Sequence, residues 1–99
     1  MTQAQVYIDK DEMYGTQSLY EYVFRLLLEH QILGATLFQA SLGYGASQHL
    51  YRPNDLFSFD GTPMLILFTD KDEKVKQALT ALRAVYKGGF IVTNQVDKW

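Results

Sequence analysis

The sequence predicts an α+β domain in which two β-α-β units follow one another. Three observations lead to this prediction: two stretches carry apolar residues at helical spacing, strand-like stretches flank each of them, and glycines mark the boundaries. The 99 residues suit one domain and not two, so residues 1–99 are expected to form a single unit. The expected order of elements is therefore β-α-β-β-α-β.

The first strand is predicted at residues 4–8, where apolar and polar residues alternate weakly before a charged stretch. Gly15 then breaks the chain, and Thr16 or Ser18 is the candidate N-cap of a helix. This helix is expected to end near residues 30–31. Its apolar face consists of Leu19, Tyr22, Val23, Leu26, Leu27 and His30. A second strand is predicted at residues 36–42, which the glycines of residues 43–45 terminate.

The second half repeats this order. Residues 64–68 form the strongest strand pattern in the chain, and Asp70 is the predicted N-cap of the second helix, with Glu73 as its capping-box partner. The Gly-Gly pair at residues 88–89 is a stop signal for this helix. A last strand is predicted at residues 90–93. The apolar face of the second helix consists of Val75, Ala78, Leu79, Leu82, Val85 and Tyr86.

Two split β-α-β halves of this kind form a ferredoxin-like sandwich, with a four-stranded antiparallel sheet and both helices on one face. The strand at residues 64–68 is apolar on both of its faces, whereas a sheet with one wet face should alternate. The helix-free face is therefore expected to be covered as well, most simply by another copy of the chain. Three such sheets closing around an axis would be one solution.

A long connection joins the second and third predicted strands. About twenty residues, 43–63, lie where hairpin loops usually take two to five. Residues 47–51 and 56–59 are strand-like, and residues 52–55 (Arg-Pro-Asn-Asp) suit a type I turn. The segment is therefore predicted to be a projecting hairpin arm, of the kind that binds partners or packs on neighbouring subunits.

Composition excludes several classes of function. The chain has no cysteine, which excludes a disulfide scaffold, thiolate zinc sites and a cysteine nucleophile. Nine Lys and Arg stand against eleven Asp and Glu without clustering, so nucleic-acid binding is not expected. No apolar run approaches the length of a membrane span, and the N-terminus lacks a signal-peptide pattern. The expected compartment is the cytoplasm, without direct membrane insertion.

Three stretches resemble the bacterial and archaeal family called domain of unknown function 190. They are Gly-Thr-Gln-Ser-Leu-Tyr-Glu at residues 15–21, Glu-His-Gln-Ile-Leu-Gly-Ala-Thr at residues 29–36 and Leu-Gly-Tyr-Gly-Ala at residues 42–46. That family is similar to the nitrogen-regulatory P-II signalling proteins. The resemblance implies a ferredoxin-like homotrimer that is not an enzyme. It would bind adenine nucleotides between subunits and insert its long loop into a transporter or enzyme partner.

The resemblance also implies a set of site residues. Thr36 matches the threonine that lies near the adenine in P-II proteins, and Gly43 and Gly45 match the glycines where backbone N–H groups approach phosphate. Two glycines permit positive φ and a close backbone approach, so an anion-binding nest is possible there. Residues 87–89 fall where P-II proteins carry a longer phosphate-binding loop. The implied ligand-binding residues are Thr36, Gly43, Tyr44, Gly45, Lys87, Gly88 and Gly89, and the implied partner-loop residues are His49, Tyr51 and Arg52.

This chain departs from the P-II pattern in its charges. Residue 46 is Ala where the resemblance implies a basic residue, and the glycine loop is shortened to residues 87–90. A counterpart of the C-terminal arginines of P-II proteins is not expected. Fewer cations favour a nucleoside monophosphate, a cyclic nucleotide or an inorganic anion over ATP. Gln31 stands where the family usually has the glycine that closes the first helix, so this C-cap must be made differently.

Two other classes of function remain open from the sequence. A CutA-like trimeric protein that binds divalent metals shares the predicted architecture, but His30 and His49 lie 19 residues apart with no carboxylate at ligand spacing. A small enzyme of the dimeric α+β barrel kind would use one of these histidines as a base. The acidic residues Asp9, Asp11 and Glu12 are interpreted as a solvated turn.

Overall fold

A computed structural model describes residues 1–44 and 62–99, and its elements follow the predicted order. The main sheet has the order β4-β5-β1-β6, and all of its neighbouring strands are antiparallel. This is the strand order of a ferredoxin-like sandwich, so the predicted fold class is confirmed. The elements are β1 (Thr2–Asp9), β2 (Met13–Tyr14), β3 (Gln17–Ser18), α1 (Leu19–Glu29), β4 (Ala35–Gln39), β5 (Pro63–Asp70), α2 (Asp72–Val85) and β6 (Phe90–Gln95).

The core lies between the sheet and the two helices. In the two central strands every second residue is buried, and the register pairs Val6 of β1 with Ile66 of β5. Both helices bury residues in this one core, so both lie on the same face of the sheet. Full burial of one valine, leucine or isoleucine side chain stabilises a fold by about 1.5–3 kcal/mol. The helix contributions to the core are Leu19, Val23, Leu26, Leu27, Val75, Ala78 and Leu82.

The opposite face of the sheet carries an apolar row that crosses all four strands. The register places Phe38, Leu65, Tyr7 and Phe90 side by side. Phe38 is 51% exposed and Phe90 is 62% exposed, and the Tyr7 and Phe90 ring centroids lie 6.0 Å apart. We call this row the open face. The prediction that residues 64–68 are apolar on both sides is therefore confirmed, whereas its cover by another copy stays a prediction.

A short hairpin, β2–β3, precedes α1 and was not predicted. Tyr14 pairs with Gln17, so the loop has two residues, and its first residue, Gly15, has φ +63°. Glycine with positive φ at this position is the requirement of a type II′ turn. The predicted Ser18 is the N-cap of α1, although its side chain makes no capping hydrogen bond. The sequence pattern at Gly15 was interpreted only as a break because each strand is two residues long.

Helix α1 ends in a Schellman motif without glycine. The N–H of Gln31 donates to Leu28 O, and the N–H of Ile32 donates to Leu27 O, both at 3.0 Å. This pair of bonds requires a left-handed residue after the C-cap, and Gln31 supplies it with φ 59°. The different C-cap expected from the sequence is thus the usual geometry made by an unusual residue, which costs about 1–2 kcal/mol of backbone strain.

The predicted N-cap of α2 is wrong. Lys71 is the N-cap, and no side chain makes a capping hydrogen bond, so the capping box with Glu73 is not formed. Strand β5 continues through Asp70, which pairs with Thr2 and therefore remains extended. The carboxylate of Asp70 instead accepts hydrogen bonds from the N–H groups of Lys71 (2.7 Å) and Leu33 (3.0 Å).

Several element boundaries also differ from the prediction. Strand β4 ends at Gln39 and not at residue 42, because its partner β5 begins at Pro63. Val85 was predicted on the buried face of α2 but is 45% exposed, since the helix ends there and the next residue is extended. Strands β1, β5 and β6 are each longer than predicted. The predicted arm, residues 46–62, lies outside the described residues apart from Thr62.

None of the helices in residues 1–44 and 62–99 is long and apolar enough to cross a membrane.

We predict that Asp70→Asn removes an acid-sensitive part of the stability. Burial alone would raise the pKa of Asp70, but the two backbone N–H groups and the Lys74 ammonium, 3.2 Å away, together hold it below 3.8. The ionised carboxylate therefore stabilises the fold above about pH 4, and this contribution is lost as the pH falls through the lower folded-state pKa. We expect Asp70→Asn to lower the free energy of unfolding by roughly 2 kcal/mol at pH 7. The acid limb, which is the fall of this free energy between about pH 4 and pH 2, should become less steep.

Urea unfolding between pH 2 and pH 7 measures both effects. Glu73→Gln is the matched control, because Glu73 is exposed in the first turn of α2, three residues after Asp70, and should leave the pH dependence unchanged. An acid limb that is as steep in Asp70→Asn as in the wild type would contradict this assignment.

Candidate functional site

Two glycine-containing segments lie at one end of the sheet, which we call the loop end. Here β1 finishes at Asp9 opposite Pro63, the first residue of β5. Gly43 lies beside Pro63, since a Cβ on it would be 3.6 Å from Pro63 Cγ. Gly89 lies against Tyr7 of β1 and leads into β6. The loop end therefore holds both segments that the resemblance implicates in anion binding.

The predicted site residues do not converge within one subunit. Thr36 is exposed on β4, and Gly43 follows the same strand, whereas residues 87–89 precede β6. Strands β4 and β6 are the two edges of the sheet, and at about 4.8 Å per strand they lie roughly 14 Å apart. Tyr44 is 69% exposed at the loop end. Gly45, His49, Tyr51 and Arg52 lie outside the described residues.

The segment of residues 86–89, which we call the glycine turn, depends on its two glycines for different reasons. Gly89 has φ +65°, and a Cβ on it would lie 2.8 Å from the backbone oxygen of Tyr7. Both the conformation and the contact therefore exclude larger residues. A Cβ on Gly88 would lie 2.7 Å from the Tyr86 hydroxyl. The Gly-Gly pair is thus more than the stop signal that the sequence indicated.

The cations of the glycine turn are bound to backbone carbonyls. The Arg83 guanidinium Nη1 donates to Gly88 O at 2.6 Å and to Tyr86 O at 3.3 Å. The ammonium of Lys87 donates to Arg83 O. Cations at the C-terminus of a helix are favourable because the last carbonyls carry partial negative charge. These two side chains therefore close the end of α2 and hold the turn in shape.

Glu12 joins the glycine turn through a long-range hydrogen bond. The Tyr86 hydroxyl donates to Glu12 Oε2 at 2.5 Å, and Glu12 Oε1 accepts from the N–H of Asp9 at 3.2 Å. Burial, followed by the hydrogen bond to Glu12 and the charge of that carboxylate, raises the pKa of Tyr86 well above its ordinary range. The interpretation of this acidic stretch as a solvated turn is wrong for Glu12, since residues 12 and 86 are too distant in sequence for any periodicity to indicate their contact.

A groove of about 750 Å³ runs along α2 beside β6 and was not anticipated. Lys76, Leu79 and Arg83 line its helix side, and Thr93 lies on its strand side. Its far end holds a polar chain in which Gln95 Nε2 donates to Thr2 Oγ1, and that hydroxyl donates to Asp72 Oδ1. Arg83 lines the groove and also donates hydrogen bonds to the glycine turn.

The described parts of the chain contain no group of three or more His, Asp or Glu side chains that could hold a metal ion. His30 is the half-buried C-cap residue of α1.

The sheet order and the two helices on one face define a ferredoxin-like α+β domain, and solved structures of PII-like proteins share this fold. CPII, a nitrogen regulatory PII-like protein from Thiomonas intermedia K12, bound to ADP, AMP and bicarbonate, matches with a TM-score of 0.68 at 16% identity, covering 94% of this chain and 82% of that one. A second CPII structure from the same organism, bound to ADP and bicarbonate, matches with a TM-score of 0.66 at 17% identity and the same coverage. At these identities the likeness establishes the fold.

The sequence itself matches a family model over nearly its whole length. The model DUF190, described as an uncharacterized ACR, covers residues 1–98, so this chain belongs to the DUF190 family. A curated relative, the UPF0166 protein of Aquifex aeolicus (strain VF5), is 27% identical over 84 residues, which are 84% of this chain and 79% of the relative. The resemblance drawn from residues 15–21, 29–36 and 42–46 is therefore confirmed.

We predict that alanine substitutions at three glycines separate backbone strain from close contact. Gly34→Ala should change stability by less than about 1 kcal/mol, because no atom lies within 4 Å and φ is not positive. Gly15→Ala should cost about 1 kcal/mol through its positive φ alone. Gly89→Ala should cost roughly 2 kcal/mol or more, since it adds the contact with Tyr7 O. Urea unfolding ranks the three variants, and a Gly89→Ala protein as stable as Gly34→Ala would contradict the geometry of the glycine turn.

Proposed function

We propose that this chain is a PII-like regulatory protein without catalytic activity. It forms a cytoplasmic homotrimer, binds an adenine nucleotide or another small anion between subunits, and regulates a protein partner through residues 43–62. The observation that carries this proposal is the fold shared with CPII over 94% of the chain, because CPII structures hold ADP, AMP and bicarbonate. The two glycine segments at the loop end supply the matching chemistry here.

The separation of those segments supports a site between subunits. Thr36 and Gly43 belong to the β4 edge, and Gly88 and Gly89 belong to the β6 edge. A second copy that places its β6 edge beside the first copy's β4 edge brings the two half-sites together. Such a head-to-tail contact uses two different surfaces, and it forms a closed ring when the rotation between copies closes. Three copies would make three equivalent sites.

The open face supports the same assembly. Its row contains three aromatic side chains, Tyr7, Phe38 and Phe90, which are all exposed in the single chain. Exposed apolar patches of this kind mark interaction surfaces. In a closed ring of three sheets the open faces turn toward the axis and are removed from water. The hydrophobic effect would then stabilise the assembly that also completes the ligand site.

The ligand chemistry follows from the donors at the loop end. Backbone N–H groups near Gly43 and in the glycine turn would donate hydrogen bonds to the phosphate or carbonate oxygens, as in other anion-binding nests. The Thr36 hydroxyl would contact the base or ribose. The mechanism is a population shift: bound ligand favours one conformation of the segment after Gly43, and a transporter or enzyme partner binds that conformation.

We predict that AMP, ADP or bicarbonate stabilises the protein against heat. Ligand at about a hundred times its dissociation constant adds about 2.7 kcal/mol per site, which a melting curve resolves as several degrees. Gly43→Val should lower the affinity for the stabilising ligand at least tenfold, because its side chain fills the approach beside Pro63. Glu73→Gln, at the other end of α2, is the control.

A shift by divalent metals alone would favour the CutA-like alternative. No shift with any of these ligands, or an affinity that Gly43→Val leaves unchanged, would contradict the proposed site.

A further inference from the structure

The electrostatics of the glycine turn differ from those of a site built for a polyphosphate. Two cations at the turn, Arg83 and Lys87, both donate to backbone carbonyls near the α2 terminus. The partial negative charge of that terminus offsets them. A phosphate that binds to the turn therefore meets backbone N–H groups together with cations that are already hydrogen-bonded.

An anionic side chain is fixed beside the same turn. Glu12 Oε2 lies 2.5 Å from the Tyr86 hydroxyl oxygen, which in turn lies 2.7 Å from the Cβ position of Gly88. The carboxylate oxygen is thus no more than about 5 Å from that position, the sum of the two distances. The missing side chain of Gly88 is what admits the Tyr86 hydroxyl. The carboxylate cannot swing away freely, because Asp9 N–H binds its other oxygen.

The backbone around Glu12 is also anchored. Its N–H donates to Asp9 O at 3.2 Å, and its carbonyl accepts from the N–H of Leu19, the first residue of α1, at 2.8 Å. Glu12 therefore has an anchored main chain and an anchored side chain, and it places an acidic group beside the turn. Like charges held within several ångströms at a protein surface repel one another appreciably.

We propose that Glu12 is a specificity-determining residue that selects ligands of low negative charge at the glycine turn. It accepts a nucleoside monophosphate or a singly charged anion and disfavours a nucleoside triphosphate, whose added charges approach the carboxylate. This inference rests on the proposed function, because it requires that an anion binds at the turn. Tyr86 is the positioning residue that holds the carboxylate in place.

The test compares the affinities of AMP and ATP by isothermal titration calorimetry, without divalent cations. We expect the wild type to bind AMP at least tenfold more tightly than ATP. Glu12→Gln keeps an acceptor for the Tyr86 hydroxyl but removes the charge. The Glu12→Gln variant should bind ATP about tenfold more tightly relative to AMP than the wild type does. Its affinity for AMP itself should change by less than about threefold. Glu73→Gln, which removes an equal charge at the opposite end of α2, should leave the ratio unchanged.

A second measurement uses the wild type alone and does not depend on the folding of a variant. Raising the ionic strength from about 0.05 M to 0.5 M screens the repulsion, so the AMP-to-ATP ratio should fall. Binding of AMP and ATP with equal affinity, or a ratio that Glu12→Gln leaves unchanged, would overturn the role of Glu12 while the proposed function stands. Absence of binding by AMP, ADP, ATP and bicarbonate would overturn both.

Discussion

The pairing of β1 with β5 is the constraint on which the rest of the structure depends. Its register places Val6 opposite Ile66 on the helix side and Tyr7 opposite Leu65 on the open side. A shift of one residue would exchange the two faces. The same register puts the end of β1 beside the start of β5. From this one pairing follow the buried core, the apolar open face and a loop end where both glycine segments lie.

Much of this could be predicted from the sequence, because helical spacing and strand patterns are local. The order of the predicted strands and helices and the buried face of α1 were predicted from these patterns. The family resemblance, and not spacing, drew attention to the C-cap at Gln31. Predictions from local motifs were wrong where a residue distant in sequence determines the conformation or the contacts. Asp70 resembles an N-cap, but its pairing with Thr2 keeps it extended. Glu12 resembles a solvated residue, but Tyr86 binds it across 74 positions.

The candidate site shows the same division. The family resemblance supplied Thr36, Gly43 and residues 87–89, but only the sheet order revealed that they occupy opposite edges. Because the predicted site residues are divided between the two edges, the proposed ligand site needs two subunits. Ligand binding and assembly therefore have to be tested together. The proposed selectivity depends on the charges at the glycine turn. Arg83 and Lys87 donate to backbone carbonyls there, and Glu12 accepts from Tyr86 beside them.

In the proposed trimer, the contact between subunits that covers the open face also completes the ligand site. Native mass spectrometry of the purified protein with and without AMP tests this proposal most directly, because it counts chains and bound ligands in the same particle. We expect a particle of three chains, each of 11.4 kDa, that binds as many as three AMP molecules. A particle of one chain that binds no AMP would contradict it.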